Sequence, residues 1–207
     1  MYKIAICGKA NTGKNTLANL LYQECYEKDK AEALTKSAIG LQAYSGKFMA
    51  FADPIKEIVM TMFPRASKEC LYGPSQLRAE AIPGAFKDGK PLTYRQALID
   101  IGTEVGRKYS DTVWLENFDS RFEKLKATLN IVVVTDVRFR NEFDHLKEKG
   151  FFQIRLYRNT GAPEIQHISE TGQSSIRDDE FDYVLFNTKS LDELKEEVKS
   201  KIIPMIK

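Results

Sequence analysis

Apolar residues in this chain fall into short runs that have the length and β-branched character of buried strands. We place five such strands at 3–7, 47–52, 130–135, 152–157 and 183–186. Helix-like segments separate most of the runs, so strand and helix alternate along the chain. This alternation predicts an α/β fold with a doubly wound parallel sheet of about five strands, whose ligands bind at the carboxyl ends of the strands.

Helices are predicted where apolar residues recur every three or four positions behind a start signal. We interpret Asp53 as an N-cap before Pro54, and Thr93 with Gln96 and Ser190 with Glu193 as capping boxes. The residues expected to face the core are Leu17, Leu20, Leu21 and Cys25, then Ile55, Ile58, Val59 and Met62, then Ala97, Leu98, Ile101 and Val105, then Trp114, Phe118, Phe122 and Leu125, and finally Leu191, Leu194, Val198 and Ile202.

Two segments depart from this pattern. Turn signals crowd residues 64–91, and residues 158–182 are polar without clear periodicity. Long irregular segments inside a compact domain are commonly functional. We therefore expect one domain over 1–207, with a substrate-side insertion at 64–110 and a lid at 158–182. Gly102 and Gly106 lie four residues apart in the insertion, which predicts close approach of another group there.

The first strand leads into a glycine-bracketed loop with the Walker A spacing, and a helix follows it. Its residues are Gly8, Lys9, Ala10, Asn11, Thr12, Gly13, Lys14, Asn15 and Thr16. Backbone N–H groups of such a loop wrap a triphosphate while the lysine reaches its outer phosphates. The usual Ser or Thr after the lysine is Asn15 here. Either Asn15 holds Mg²⁺, or Thr16 contacts a phosphate and other groups hold the ion.

Composition narrows the class of protein. The 31 basic and 29 acidic residues leave a net charge of +2, which argues against a broad nucleic-acid surface. Three scattered cysteines and two distant histidines give neither a disulfide framework nor metal-ligand spacing, and favour a reducing cytoplasm. No apolar run approaches the length of a membrane span.

Two carboxylates are expected beside the loop, because Asp53 and Asp136 each directly follow a predicted strand. They suggest Mg²⁺ binding or activation of an attacking oxygen, although Asp53 is equally consistent with a simple helix cap. Arg138 and Glu142 come next, and the planar fork of arginine suits phosphate oxygens. Other arginines that can serve phosphates are Arg78, Arg95, Arg107, Arg140, Arg155 and Arg158.

Five segments occur in order through nearly the whole chain: Phe51-Ala-Asp-Pro-Ile-Lys56, Gly102-Thr-Glu-Val-Gly-Arg107 with Trp114 after it, Thr135-Asp-Val-Arg-Phe139 with Asn141-Glu142, His167-Ile-Ser-Glu170, and Asn187-x-x-Ser-Leu. With them the chain resembles the phage-type deoxynucleoside monophosphate kinases. The resemblance implies a P-loop NTPase-type kinase fold in which ATP, with Mg²⁺, phosphorylates a deoxynucleoside 5′-monophosphate.

The resemblance also implies roles for individual residues. It places Lys14 on the donor phosphates and Arg138 near the acceptor phosphate, with Asp53 and Arg107 in the acceptor cleft. Together with Asp136, which we favour from its position at the strand end, Lys14 and Arg138 are the expected catalytic residues. Asn15 and Asp136 are the candidate metal ligands, although the family commonly has Asp where this chain has Asn15. The expected substrate-binding residues are Asp53, Lys56, Arg95, Arg107, Trp114, Arg138 and Glu142.

Three functions stay open at this point. The first is transfer of the ATP γ-phosphoryl group to a deoxynucleoside monophosphate, and the second is the same transfer to another small phosphorylated metabolite. The third is a regulatory module that binds ATP without transfer. We expect no nucleic-acid or membrane partner and a cytoplasmic location, in the host if a phage encodes the chain. The sequence leaves a homodimer open.

Overall fold

The computed structural model describes residues 1–35, 44–158 and 172–206. The chain divides into two compact units, Met1–Met49 with Phe122–Lys207, and Ala50–Arg121. The insertion expected at 64–110 lies inside the second unit.

The strands, in chain order, are β1 Tyr2–Cys7, β2 Gly46–Met49, β3 Ala81–Lys87, β4 Lys90–Thr93, β5 Ile131–Val137, β6 Phe152–Tyr157 and β7 Tyr183–Phe186. The helices are α1 Lys14–Thr35, α2 Asp53–Met62, α3 Lys68–Tyr72, α4 Tyr94–Ile99, α5 Val113–Leu125, α6 Arg140–Glu148 and a C-terminal helix, Leu191–Glu197.

A five-stranded sheet in the order β2-β5-β1-β6-β7 forms the first unit, and all its pairings are parallel. Helix α1 and the C-terminal helix pack on the face that carries Ile4 and Ile6. On the opposite face, the Lys3 ammonium donates to the Lys149 carbonyl at the end of α6. Helices thus cover both faces, and the predicted doubly wound α/β sheet is confirmed.

Three element boundaries differ from the prediction. Strand β2 ends at Met49, three residues early, and β5 continues through Asp136 to Val137. Helix α1 runs on to Thr35, well beyond Cys25, the last residue of its predicted core face. Lys, Glu and Ala in this stretch are good helix formers, so propensity extends the helix where apolar periodicity fades.

Most residues predicted to face the core are buried, but four are exposed: Ile58, Met62, Val105 and Leu191. Met62 and Leu191 are terminal residues of their helices. Val105 lies in a π-helical stretch, Asp100–Arg107, that continues α4. Hydrogen bonds from i to i+5 widen each turn, so the 3.6-residue spacing predicts the wrong face there.

The predicted caps are present at two of the three helix starts. Ser190 Oγ accepts from Glu193 N at 3.3 Å, and Glu193 Oε2 accepts from Ser190 N at 3.0 Å, so this capping box is confirmed. Thr93 Oγ1 accepts from Gln96 N at 3.2 Å, but the Gln96 side chain donates to Asp100 instead of returning to Thr93. Thr93 therefore caps the helix, but Gln96 does not complete the capping box.

The second unit is more regular than the turn signals suggested. Residues 64–91 contain helix α3 and most of an antiparallel hairpin, β3 and β4, where we expected an irregular segment. The two-residue turn of this hairpin, Asp88-Gly89, has φ of 51° and 73°. Both values are left-handed, as a type I′ turn requires. The Asp-Gly dipeptide was thus a hairpin signal. The hairpin and the helices enclose a small core that includes Val59, Leu71, Ile82, Leu92, Tyr94 and Ala97.

Close approach explains the two glycines of the π-helical stretch. A Cβ on Gly102 would lie 2.8 Å from Ile55 Cδ1, and one on Gly106 would lie 2.3 Å from Trp114 Cζ2. The Trp114 indole, 6% exposed, donates from Nε1 to the Gly102 carbonyl at 2.8 Å. The prediction of close packing at these glycines is confirmed.

Candidate functional site

The loop between β1 and α1 has a backbone suited to binding an anion. Asn11 and Gly13 have φ of 62° and 97°, so left-handed residues alternate with others along the loop. Such alternation turns successive N–H groups toward one side and makes an anion-binding concavity. The N-terminus of α1, which is 22 residues long, begins at Lys14 and adds its free N–H groups there.

The two loop glycines are required for different reasons. Gly13, and not Gly8, has the positive φ that a β-carbon would hinder. Gly8 is required by close approach instead, because a Cβ there would lie 2.6 Å from the Leu156 carbonyl oxygen and 3.0 Å from Thr12 Oγ1. The end of β1 is thus packed tightly against β6.

Lys14 reaches back across the loop. Its ammonium donates to the carbonyl oxygens of Gly8 at 2.7 Å and Lys9 at 2.6 Å. The buried Thr12 hydroxyl also donates to Lys9 O, at 2.9 Å. Asn15 and Thr16 are exposed in the first turn of α1. Side chains of the loop therefore hydrogen-bond to its own backbone, and the Lys14 ammonium lies beside its carbonyl oxygens.

Asn187 is a loop contact whose role the sequence reasoning missed. It follows β7, and its side-chain Nδ2 donates to the Thr12 carbonyl at 2.8 Å. A Cβ on Gly13 would lie 2.7 Å from the same nitrogen. The sequence signal for this contact is an amide residue directly after an apolar strand, within the Asn187-x-x-Ser-Leu segment.

Asp136 lies within β5 rather than after it, which corrects the prediction. Ala5 pairs with Val134 and Cys7 with Val137, so Thr135 and Asp136 stand opposite one residue of β1. This extra residue is a β-bulge, a feature that re-aims side chains near active sites. Asp136 is half-buried beside the last residues of β1, immediately before the loop.

Arg138 and Glu142 are joined at the start of α6. The Glu142 carboxylate is 3% exposed, and its Oε2 accepts from Arg138 N at 2.8 Å and Phe139 N at 3.2 Å. A carboxylate on N–H groups at a helix start is favourable. Glu142 thus holds the backbone of Arg138, whose side chain is half-buried.

Arg155 has a structural role, because its guanidinium is buried and hydrogen-bonded within the fold. It is 6% exposed, and its guanidinium donates to Asp178 Oδ1 at 3.2 Å, Gln173 O at 3.1 Å and Ile176 O at 2.6 Å. Its Nη1 also lies 3.6 Å from Cys7 Sγ, and burial raises the pKa of that thiol despite the nearby arginine. We therefore do not place Arg155 at a phosphate.

Arg158 is exposed and lies beside the loop. A Cβ built on Gly13 would be 4.0 Å from its Nη1. Of the lid expected at 158–182, residues 159–171, including His167, lie outside the described residues. Residues 172–182 form two short 3₁₀ turns, Gly172–Ser175 and Asp178–Glu180.

The remaining candidates belong to the second unit. Asp53 is the first residue of α2, whose N-cap is Ala52, so the predicted Asp53 cap is wrong. Asp53 Oδ2 accepts from Ala50 N at 3.0 Å, and Oδ1 pairs with Lys56 Nζ at 3.0 Å. The buried Lys56 ammonium also lies 4.6 Å from the centre of the Tyr72 ring. These contacts stabilise the start of α2.

Arg95 and Arg107 are half-buried. Arg95 Nη2 donates to Ser75 O at 3.1 Å, and Arg107 Nη1 donates to Asp111 O at 3.5 Å. Trp114 packs on Gly106 as described above, and we assign it a packing role.

Among the described residues, no group of three or more His, Cys, Asp or Glu side chains could hold a metal. A Mg²⁺ ion commonly takes one or two protein ligands together with substrate phosphates and waters. The oxygens of Asp136, Asn15 and Thr16 fit that donor set. Within the same ranges, no helix has the length and apolar character needed to cross a bilayer.

The parallel sheet and its loop define an α/β protein with a loop suited to an anion at the carboxyl edge of the strands. The family model for deoxynucleotide monophosphate kinase matches residues 78–198. This chain therefore belongs to the deoxynucleotide monophosphate kinase family, and it is a kinase. The match includes Asp136, Arg138 and Asn187, whereas the Walker loop precedes it.

Individual relatives extend the comparison. A protein of Acanthamoeba polyphaga mimivirus, described as a "Putative deoxynucleotide monophosphate kinase", is 29% identical over 210 residues, covering 97% of this chain and 95% of the viral protein. The crystal structure of an unliganded sugar kinase from Janibacter sp. HTCC2649 aligns over 98% of this chain and 95% of its own, with a TM-score of 0.47 and 13% identity.

Proposed function

We propose that this kinase transfers the γ-phosphoryl group of ATP to a deoxynucleoside 5′-monophosphate and releases ADP and the deoxynucleoside diphosphate. The observation that carries the proposal is the loop: left-handed Asn11 and Gly13, with the Lys14 ammonium 2.7 Å and 2.6 Å from two loop carbonyls. Membership of the family supports the nucleotide as acceptor.

The donor side of the reaction depends on positive charge around a polyanion. The loop N–H groups and the α1 N-terminus bind phosphate oxygens, and Lys14 exchanges its carbonyl contacts for the outer phosphates. Arg158 can reach the same oxygens from beside Gly13. Cations that are already placed around the phosphates stabilise the charge that develops during transfer.

The metal would bind where the loop meets β5. Asp136, at the bulge of β5, would supply a carboxylate, and Asn15 or Thr16 would supply a neutral oxygen from the first turn of α1. A Mg²⁺ ion held there would neutralise phosphate charge and orient the donor. Because Asn15 carries no charge, Asp136 is the stronger of these protein ligands.

On the acceptor side, Arg138 is the candidate for the monophosphate. It follows the bulge by two residues, and Glu142 holds its backbone through the bond to Arg138 N at 2.8 Å. A fork-shaped cation there would hold the attacking oxygen in line and offset repulsion between two polyanions.

The first experiment is an ADP-release assay with Mg²⁺ and ATP over a panel of deoxynucleoside monophosphates, ribonucleoside monophosphates and phosphorylated sugars. We expect release to depend on a deoxynucleoside monophosphate. Release only with a phosphorylated sugar would overturn the acceptor, and ATP binding without release would indicate a regulatory module.

Arg138 variants test the acceptor assignment. We expect Arg138→Ala to raise the KM for the deoxynucleotide and lower kcat, and Arg138→Lys to recover only part of the loss, because lysine keeps the charge without the fork. The dissociation constant of ATP should stay nearly unchanged in both. If Arg138→Ala weakens ATP binding and spares the acceptor KM, the residue serves the donor side.

A further inference from the structure

We propose that Asn187 is a positioning residue that orients the phosphate-binding loop for the donor. The inference rests on the proposed function, since it assigns ATP to that loop. Asn187 touches neither reacting atom in this assignment and acts through the Thr12 to Gly13 peptide.

The fold holds the main chain of Asn187 through its backbone N–H group. Its backbone N donates to the Tyr157 carbonyl at 2.7 Å, which extends the β6–β7 pairing beyond the last strand residue. The whole residue is only 9% exposed. Its amide therefore meets Thr12 from a rigid position at the carboxyl edge of the sheet, although 175 residues separate the two in sequence.

The hydrogen bond determines which way one loop peptide faces. Asn187 Nδ2 holds the Thr12 carbonyl at 2.8 Å. In a planar trans peptide the C=O and the following N–H point in opposite directions. The N–H of Gly13 therefore points away from Asn187, and it becomes available to an anion in the loop.

Gly13 and Asn187 also match in shape. The φ of 97° at Gly13 is one that only glycine adopts readily. A Cβ on Gly13 would lie only 2.7 Å from the Asn187 amide nitrogen, so the amide leaves no room for a side chain there. The amide thus supports the left-handed turn from the side on which any other residue would carry its side chain.

Two substitutions remove the hydrogen-bond donor of Asn187 in different ways. Asn187→Asp keeps the shape but sets a carboxylate oxygen against the Thr12 carbonyl, and Asn187→Ala removes the contact. We expect the dissociation constant of ATP to rise about tenfold or more in both, as for loss of a buried hydrogen bond. The KM for the deoxynucleotide should stay within about twofold, because the acceptor side is untouched.

Asn130→Asp is the matched control, since it adds the same charge to the same unit at the amino end of β5. The Asn130 side-chain oxygen accepts from Ser45 N at 2.9 Å, which a carboxylate can also do. ATP binding is measured by calorimetry with Mg²⁺·ATP on the full chain, and thermal unfolding is measured in parallel.

Each outcome decides the matter. Weakened ATP binding with an unchanged acceptor KM, in at least one folded Asn187 variant, supports the role. Folded variants that bind ATP like the parent overturn it and leave the proposed function standing. Loss of folding in both variants while Asn130→Asp folds also overturns it, in favour of a purely structural residue. A parent chain that binds no ATP contradicts the proposed function itself.

Discussion

Gly106→Ala should destabilise the second unit, although alanine normally favours a helix. The new methyl group would lie 2.3 Å from Trp114 Cζ2, 2.9 Å from Cε2 and 3.0 Å from the Ile101 carbonyl oxygen. The ring cannot withdraw freely, because it is buried and its Nε1 is bonded to the Gly102 carbonyl. Either the ring moves and loses that hydrogen bond, or the backbone shifts.

The magnitude follows from three effects. Overpacking a core costs about 1–3 kcal/mol. A weakened hydrogen bond adds about 1 kcal/mol. Replacing glycine in a helix returns about 1 kcal/mol. We therefore expect Gly106→Ala to lower the free energy of unfolding by about 1–3 kcal/mol.

Urea unfolding followed by Trp114 fluorescence measures this effect, because Trp114 is the single tryptophan. Gly102→Ala is the matched control. Its methyl group would meet only the flexible end of Ile55, at 2.8 Å from Cδ1, so rotation of that side chain can relieve the contact. We expect Gly102→Ala to lie within about 1 kcal/mol of the parent. If Gly106→Ala is as stable as the parent with an unchanged emission maximum, the packing described for Trp114 is wrong.

Three further predictions concern the loop and a surface ion pair. Lys14→Ala should lower ADP release about 100-fold or more at saturating substrates while thermal unfolding stays unchanged; turnover within a few-fold of the parent would refute the Walker assignment. Asn15→Asp should lower the Mg²⁺ concentration for half-maximal rate, because a carboxylate binds this ion more strongly than an amide; an unchanged titration would place the ion elsewhere. Hydrogen bonds from Arg121 lower the pKa of Glu57 below its usual 4.5, so the pair stabilises the fold above that pH and the contribution is lost as pH falls through the lowered pKa. Since the Glu57 side chain is 53% exposed, Glu57→Gln should cost about 0.2–1 kcal/mol at pH 7. The cost should shrink as the pH falls through the lowered pKa of Glu57, as read from Trp114 fluorescence in urea; a cost that stays the same throughout the acid range would show that the ion pair is not its cause.

The sequence by itself determined the elements whose evidence is local. The apolar runs, the glycine spacing of the loop and the Ser190 cap each depend on residues close together in the chain, and the parallel sheet followed from their alternation. The family resemblance, too, could be found from short ordered motifs, and the family match at residues 78–198 agrees with it.

Tertiary structure alone decided how those elements present their side chains. The bulge that places Asp136 depends on the register between β1 and β5, and a register is a property of two strands rather than of either sequence. The bond from Asn187 to Thr12 joins residues 175 positions apart. In the π-helical stretch at Asp100–Arg107 the hydrogen bonds from i to i+5 replace the 3.6-residue repeat, and Gly106 packs against Trp114 while Val105 is exposed. Long-range hydrogen bonds and close packing determine these details, and a local pattern of apolar residues does not predict them.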